Sequence, residues 1–242
     1  MKKILLGMVG LLMCSTPVLA DAYYTNDYGL EFTEFQYEMM VERLSEEHVK
    51  TMTYAAYEML GVANITEDNY EQVVYDETKD TSNTRATFYE TTCKKITISK
   101  SCDSNKCAVV FTNNWKCIPA VKSYDVAGVR LSSTTFYDNG QSAYFTSDGA
   151  VKNPAGSRGA SNGIGYAYKV PSSGQIGYSA ISIRTDATNT GAVYGSYQHG
   201  VRSMSLTYAL DFTFNSAGLG GVFAWSNDEY FDQMSGVYIV VP

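Results

Sequence analysis

Four cysteines, two histidines and an excess of tyrosine are the residues of this chain whose types and spacing suit chemistry. Cys93, Cys102, Cys107 and Cys117 lie in "ETTCKKITISKSCDSNKCAVVFTNNWKCIP", Glu90 to Pro119. Structural zinc would need paired ligands such as C-x2-C, and a redox site a C-x-x-C; neither occurs. An even number of cysteines in an oxidising space reads as disulfides. Antiparallel geometry selects the pairing. Lys94–Lys100 and Ala108–Lys116 flank the turn "CDSNKC". Joining Cys102 to Cys107 also pairs Ile98 with Phe111 and sets Ile96, Ile98, Val109, Phe111 and Trp115 on one face. Cys93 with Cys117 is one residue out of that register, which a bulge near Lys94-Lys95 would absorb. Cys93–Cys102 would have to close roughly 30 Å of one strand, against ~5.5 Å between Cα atoms of a disulfide. Cys93–Cys107 with Cys102–Cys117 needs two incompatible registers. The spacing therefore predicts nested bridges, Cys102–Cys107 and Cys93–Cys117, each stabilising by on the order of 2–3 kcal/mol at most.

His199, in "VYGSYQHGVRS", lies between strands beside a glycine and is the candidate general base or ligand. No nucleophile or second ligand is identifiable for it, so a structural role competes with the catalytic one. His48 opens an acidic helix and reads as solvated. There is no G-x-S-x-G elbow and no D-x-D-x-D-G calcium loop. The β region has only two glutamates, Glu90 and Glu229, which leaves little for a carboxylate pair. Asp125 and Asp211 interrupt strand patterns and read as outward positions or bulges. No metal site and no cofactor are expected. Twenty tyrosines stand against two tryptophans, and tyrosine joins an apolar ring to a polar tip suited to recognition. Tyr137, Tyr144, Tyr194, Tyr197 and Tyr230 lie in or beside turns and are the candidate ligand platform. The competing reading puts each at a half-buried strand position.

The elements that must position these residues fall into three stretches. Residues 1–20, "MKKILLGMVGLLMCSTPVLA", have the basic, apolar and small-residue regions of a secretory signal peptide, with the mature chain expected to begin at Asp21. Met13 is large where a lipoprotein signal before Cys14 needs a small residue. No other apolar run reaches ~18 residues, so no membrane span is expected. Residues 21–80 carry fifteen acids and three bases, and residues 81–242 ten acids and thirteen bases. This break suggests an acidic helical segment, 21–80, ahead of a β domain, 81–242, with "DETKDTSNTR" as linker. The acidic chain argues against nucleic acid as partner.

Within 21–80, Thr33 with Gln36 forms a capping box, and Ser45 starts a second helix that Thr53 is placed to split and Gly61 to end. The apolar face is thin and rich in Met, so the segment should dock or stay mobile. Beyond 85 the period becomes two. Ile164 to Val170 alternates, and Met204, Leu206, Tyr208, Leu210, Phe212 and Phe214 extend the pattern over one long strand. Turn signals such as Asp138-Asn139-Gly140 and Asp148-Gly149 separate the runs. The fold class is mainly β, an antiparallel, jelly-roll-like sandwich with a small N-terminal helical segment.

The motifs "WKCIPAVKSYDVAGVR", "YGSYQHG" and "GLGGVFAW", behind the acidic helical opening, resemble a group of secreted, uncharacterised proteins of low-GC Gram-positive bacteria. The resemblance implies a secreted β protein and no known activity. Residues and resemblance together suggest a secreted or extracellular protein, periplasmic if the source is Gram-negative. Its expected role is non-catalytic binding at the surface, with a glycan or another protein as ligand. The alternatives are a secreted hydrolase using His199 with an aspartate, and a self-assembling envelope protein. The acidic segment is a candidate mask over the β domain.

Overall fold

A computed structural model describes residues 22–76, 93–132, 138–171, 177–187, 191–214, 222–226, 229–232 and 236–241. The expected signal peptide, most of the expected linker and Tyr137 lie outside them. The elements are β1 (Tyr24–Thr25), β2 (Glu31–Phe32), α1 (Glu34–Arg43), α2 (Glu46–Lys50), α3 (Tyr54–Met59) and β3 (Tyr70–Asp76). There follow β4 (Lys94–Cys102), β5 (Lys106–Trp115), β6 (Tyr124–Leu131), β7 (Asp138–Thr146), β8 (Val151–Lys152) and β9 (Gly156–Ala160). The chain continues through β10 (Gly163–Lys169), β11 (Gly177–Asp186), β12 (Gly191–Gln198), α4 (Leu206–Ala209), β13 (Phe212–Phe214), β14 (Phe223–Trp225) and β15 (Val237–Val241).

Two antiparallel sheets form a β-sandwich, in the orders β3-β4-β5-β11-β7-β8 and β15-β12-β6-β10-β9. Period-two alternation turns Ile96, Ile98, Val109, Phe111, Ile181 and Ile183 of the first sheet against Ala127, Val129, Leu131, Val193 and Ile239 of the second. The bridges are Cys93–Cys117 and Cys102–Cys107. The β4–β5 ladder runs without interruption from Lys94↔Trp115 to Cys102↔Cys107. The residue of mismatch at Cys93–Cys117 falls not in a bulge at Lys94-Lys95 but in the bends at Lys116 and Cys117, where the Lys116 N–H donates to the Cys93 carbonyl at 2.7 Å.

The helical segment is the third layer. The Thr33 and Gln36 side chains complete the capping box of α1. The next helical run does split, into α2, which Ser45 caps, and α3, after which Gly61 takes φ +67°. Phe32, Met40, Leu44, Val49, Met52, Ala56, Leu60, Val62 and Ile65 pack on Val110, Ala143, Phe145, Tyr178 and Ala180 of the six-stranded sheet's outer face. Residues on the two sides of position 80 therefore share one core, and β3 is an edge strand of the main sheet.

The sheet also closes the end of α1. Its last carbonyls lack helical partners. Lys95 Nζ donates to the carbonyl of Glu42 and Asn114 Nδ2 to that of Leu44. Buried Gln36 and Asn26 similarly donate to loop carbonyls at Val62 and Met52, at 3.0 and 2.8 Å. The thin apolar stripe of the helices is thus completed by polar side chains satisfying backbone groups.

A third cluster covers the outer face of the five-stranded sheet. The run from Met204 to Phe214, expected as one strand, is instead α4 followed by β13. Ser205 Oγ accepts from the Tyr208 N–H at 3.1 Å and starts a helical turn. The chain folds over the sheet, and the helical turn with the short strand after it sets Leu206, Tyr208, Leu210, Phe212 and Phe214 in the cluster while Ser205, Thr207, Asp211 and Thr213 stay exposed. Phe212, Phe223 and Val222 are buried here. The sheet beneath is paved with glycine. A Cβ on Gly128 would lie 2.3 Å from the Phe223 ring, so only glycine admits the ring at this depth. No helix among the described residues is long and apolar enough to cross a membrane.

Candidate functional site

An assembly of titratable side chains lies between the two sheets, at the end held by Cys93–Cys117. Strand alternation places Lys94 on the inward face with Ile96 and Ile98, directly opposite Trp115 on β5. The same alternation turns Asp125 of β6 inward with Ala127 and Val129. Tyr197, next to last in β12, faces it, and His199 follows the end of the strand. Asp232 arrives from the C-terminal side. Val201 N–H donates to the Tyr230 carbonyl and Asp232 N–H to the His199 carbonyl, both at 2.9 Å, around a Gly200–Phe231 bridge.

Asp125 is the hub. Its Oδ1 accepts from His199 Nδ1 at 2.7 Å and from the Gly200 N–H at 3.0 Å. Its Oδ2 accepts from the Tyr197 hydroxyl, which in turn accepts from Trp115 Nε1 at 2.9 Å. Asp232 is the second anion. Its Oδ1 accepts the His199 backbone N–H at 2.6 Å, and its Oδ2 pairs with Lys94 Nζ. The Lys94 ammonium also lies 5.6 Å from the Trp115 ring centroid and 5.8 Å from that of Tyr197. Lys94 is 0% exposed and Asp125 1%. Such burial is tolerable because the Lys94 ammonium has the Asp232 carboxylate and two aromatic rings beside it, and the Asp125 carboxylate accepts three hydrogen bonds.

Protonation follows from these contacts. Burial alone lowers the His199 pKa, but the adjacent Asp125 carboxylate, with its hydrogen bond, and then Asp232 outweigh it. The net value is raised above the ordinary 6.5. Burial, and then the charge of Asp125, hold the Tyr197 phenol well above its ordinary value, so it stays a donor. With His199 protonated the cluster holds two cations and two anions.

The sign of the pH effect is set by the raised histidine. Its stabilisation is complete below the unfolded value and is lost as pH rises through the higher folded value. His48 acts in reverse. Burial lowers its pKa, so its contribution is present above 6.5 and lost as pH falls. Urea midpoints are therefore expected to peak near pH 6.5 and decline on both sides. His199→Gln should flatten the alkaline limb and leave the acid limb in place; an unchanged alkaline limb would remove His199 as its source.

The sequence-derived candidates separate. His199 does have an aspartate partner, and it is Asp125, which points inward rather than outward. Its partner is 74 positions away, so nothing local marks it, although Asp125 shares strand parity with Ala127, Val129 and Leu131. Lys94 was legible in the same way, by parity with Ile96 and Ile98; Asp232 carries no such signal. Among the described residues no serine hydroxyl or thiol bonds to the His199 ring. His48 is buried instead of solvated: its ring packs edge-on against Tyr178, with centroids 5.1 Å apart, and Nδ1 meets Ser45 Oγ at 2.9 Å.

Two of the five candidate platform tyrosines are interior, because their strand parity is inward: Tyr144 is 8% exposed and Tyr197 2%. Tyr137 lies outside the described residues. Tyr194 and Tyr230 are half-buried and border the aromatic cluster on the outer face of the five-stranded sheet. Tyr194 stacks on Tyr238 of β15, with centroids 5.7 Å apart and 30° between planes, and the Arg130 guanidinium lies 4.8 Å from its ring. Tyr230 packs on Tyr208 at 4.6 Å. Tyr238 is 42% exposed and Val240 beside it 55%. Tyr238 was not among the sequence candidates; β15 alternates, and Tyr238 and Val240 take its outward positions.

No protein-family model matches the chain, and no curated protein matches it. Three solved structures show remote likeness. The collagen-binding domain of a Staphylococcus aureus adhesin is 10% identical and has a TM-score of 0.34; the match covers 57% of this chain and 88% of that one. The KRT10-binding region domain of the pneumococcal serine-rich repeat protein PsrP is 10% identical with a TM-score of 0.31, over 53% and 86% of the two chains. A structure described under the pH-induced modulation of Streptococcus parasanguinis adhesion by Fap1 fimbriae is 11% identical with a TM-score of 0.30, over 71% and 99%.

Proposed function

We propose that this is an extracellular binding protein of the cell surface or its surroundings, non-catalytic, with a glycan or another protein as ligand. The observation that carries the reading is the outward aromatic face of the five-stranded sheet. There Tyr194 and Tyr238 stack at the surface, and Tyr208 and Tyr230 pack together beside the same cluster. Flat rings with polar tips, packed on one another at the outer face of the sheet, offer contact area at low entropic cost. The buried ionic cluster, by contrast, is occupied with internal contacts. Two disulfides suit an oxidising compartment, and the signal-like leader points the same way.

The test is a screen of the secreted chain on a glycan array and on immobilised extracellular-matrix proteins. The Tyr194→Ala/Tyr238→Ala variant is then measured on whatever the wild type binds. Loss of two central aromatic contacts should weaken binding at least about tenfold, as for other aromatic anchors, with an unchanged circular dichroism spectrum. Equal affinity of variant and wild type would move the binding face elsewhere, and a wild type that binds nothing on either array would count against the reading as a whole.

A further inference from the structure

Lys94 and Asp232 are placed for a reaction with each other. Lys94 stands on β4, next to the bridged Cys93, and Asp232 belongs to the C-terminal segment 138 positions later. Their side chains are 0% and 5% exposed, and Nζ touches Oδ2 directly. The rings of Trp115, Tyr197 and His199 form the surroundings: Trp115 lies 5.0 Å from His199, edge to face, and 6.1 Å from Tyr197. Asp232 Oδ1 is held separately by the His199 backbone N–H at 2.6 Å. One carboxylate thus has one oxygen on an amine and the other on a fixed N–H donor, in a site from which water is excluded.

From this geometry we propose that Lys94 and Asp232 condense into an intramolecular amide that covalently links the six-stranded sheet to the C-terminal segment. The ammonium first passes a proton to Oδ2, leaving a neutral amine and a neutral carboxylic acid. The Nζ lone pair then attacks Cγ of Asp232. Negative charge develops on Oδ1, where the His199 N–H already donates, as an oxyanion donor must. A second proton moves from Nζ to the Oδ2 hydroxyl, the Cγ–Oδ2 bond breaks, and water leaves. The product keeps one hydrogen on Nζ and one oxygen, Oδ1, on Cγ. No oxidant, reductant or metal is required. The fixed apposition supplies what would otherwise be an unfavourable encounter, and the exclusion of water works against hydrolysis of the product.

The Lys94–Asp232 ion pair and the amide differ by one water, and mass decides between them. The purified secreted chain, with its disulfides reduced, is expected to weigh one water less than its sequence. Trypsin should fail to cut after Lys94, and the peptide ending at Lys95 should appear joined to the C-terminal peptide that follows Arg202. Lys94→Arg keeps the positive charge without a usable amine and should restore the full mass. A wild-type chain of full mass, or a water deficit mapped to other residues, overturns the proposal. So does a deficit that persists in Lys94→Arg. Should that variant not fold, the wild-type mass and peptide map decide alone.

Discussion

Asp125→Ala is expected to destabilise the protein by about 3–5 kcal/mol, the cost of leaving a buried partner charge uncompensated. Asp125 accepts from His199, from Tyr197 and from the Gly200 N–H. The alanine leaves all three donors without their acceptor at once. The His199 ring loses its main source of stabilised charge, and the Tyr197 hydroxyl keeps its bond from Trp115 but has nowhere to donate. Each stranded polar group adds its own desolvation cost, about 1–3 kcal/mol. Urea unfolding followed by circular dichroism measures the loss. Asp125→Asn should cost less, because its amide oxygen still accepts from one of the donors. A loss within ~0.5 kcal/mol for Asp125→Ala would match an ordinary surface change and contradict the hub role.

The second large effect comes from the N-terminal layer. A chain beginning at residue 81 is expected not to fold into a soluble monomer. It would lose β3 from the edge of the six-stranded sheet and uncover Val110, Ala143, Phe145, Tyr178 and Ala180. It would also lose nine buried residues of the shared core, from Phe32 to Ile65. Burial of one large apolar side chain contributes about 1.5–3 kcal/mol, and whole domains retain only about 5–15 kcal/mol. The remaining sheet would present an apolar face and a bare β4 edge to solvent, an invitation to aggregate. Size-exclusion chromatography of the 21–242 and 81–242 chains separates the outcomes. A monomeric 81–242 chain with a cooperative melt would restore the picture of an independent β domain behind a removable mask. In the present fold the acidic layer lies on the sheet opposite to the one bearing Tyr194 and Tyr238, so masking of that face has no geometric basis.

Much of the architecture was legible because local rules and burial agreed. The hairpin register followed from Ile96, Ile98 and Phe111, and the cysteines obeyed it. Thr33 and Gln36 announced the start of α1. What was not legible depended on contacts distant in sequence. The polar outer face of β4 and β5, with Lys95, Thr97, Ser99, Thr112 and Asn114, reads as solvated; it is covered by helices whose end carbonyls Lys95 and Asn114 satisfy. Gln36 donates to the Val62 carbonyl, the Arg43 guanidinium lies 5.7 Å from the Tyr70 ring centroid and His48 meets Ser45; all three are buried, although helical patterning assigns such residues to the surface. The alternation from Met204 to Phe214 was real, but a segment wrapped over a glycine-paved sheet satisfies it without being a strand. Of the candidate residues, His199 lies in the buried cluster, and Tyr194 and Tyr230 border the outward aromatic cluster. The parity that turns Asp125 and Lys94 inward was present in the sequence and outweighed by the habit of placing charges outside.

The division of labour between interior charges and outward aromatics is open to one decisive comparison. Asp125→Ala and Tyr194→Ala/Tyr238→Ala are measured side by side for urea midpoint and for affinity toward the ligand the screen returns, below the melting point of both. The expected result is a dissociation: the first variant loses stability and keeps its affinity while folded, and the second keeps its stability and loses affinity. If Asp125→Ala abolishes binding in a chain that is still folded, or if the tyrosine variant binds as the wild type does, the interior cluster and not the aromatic face is the functional site.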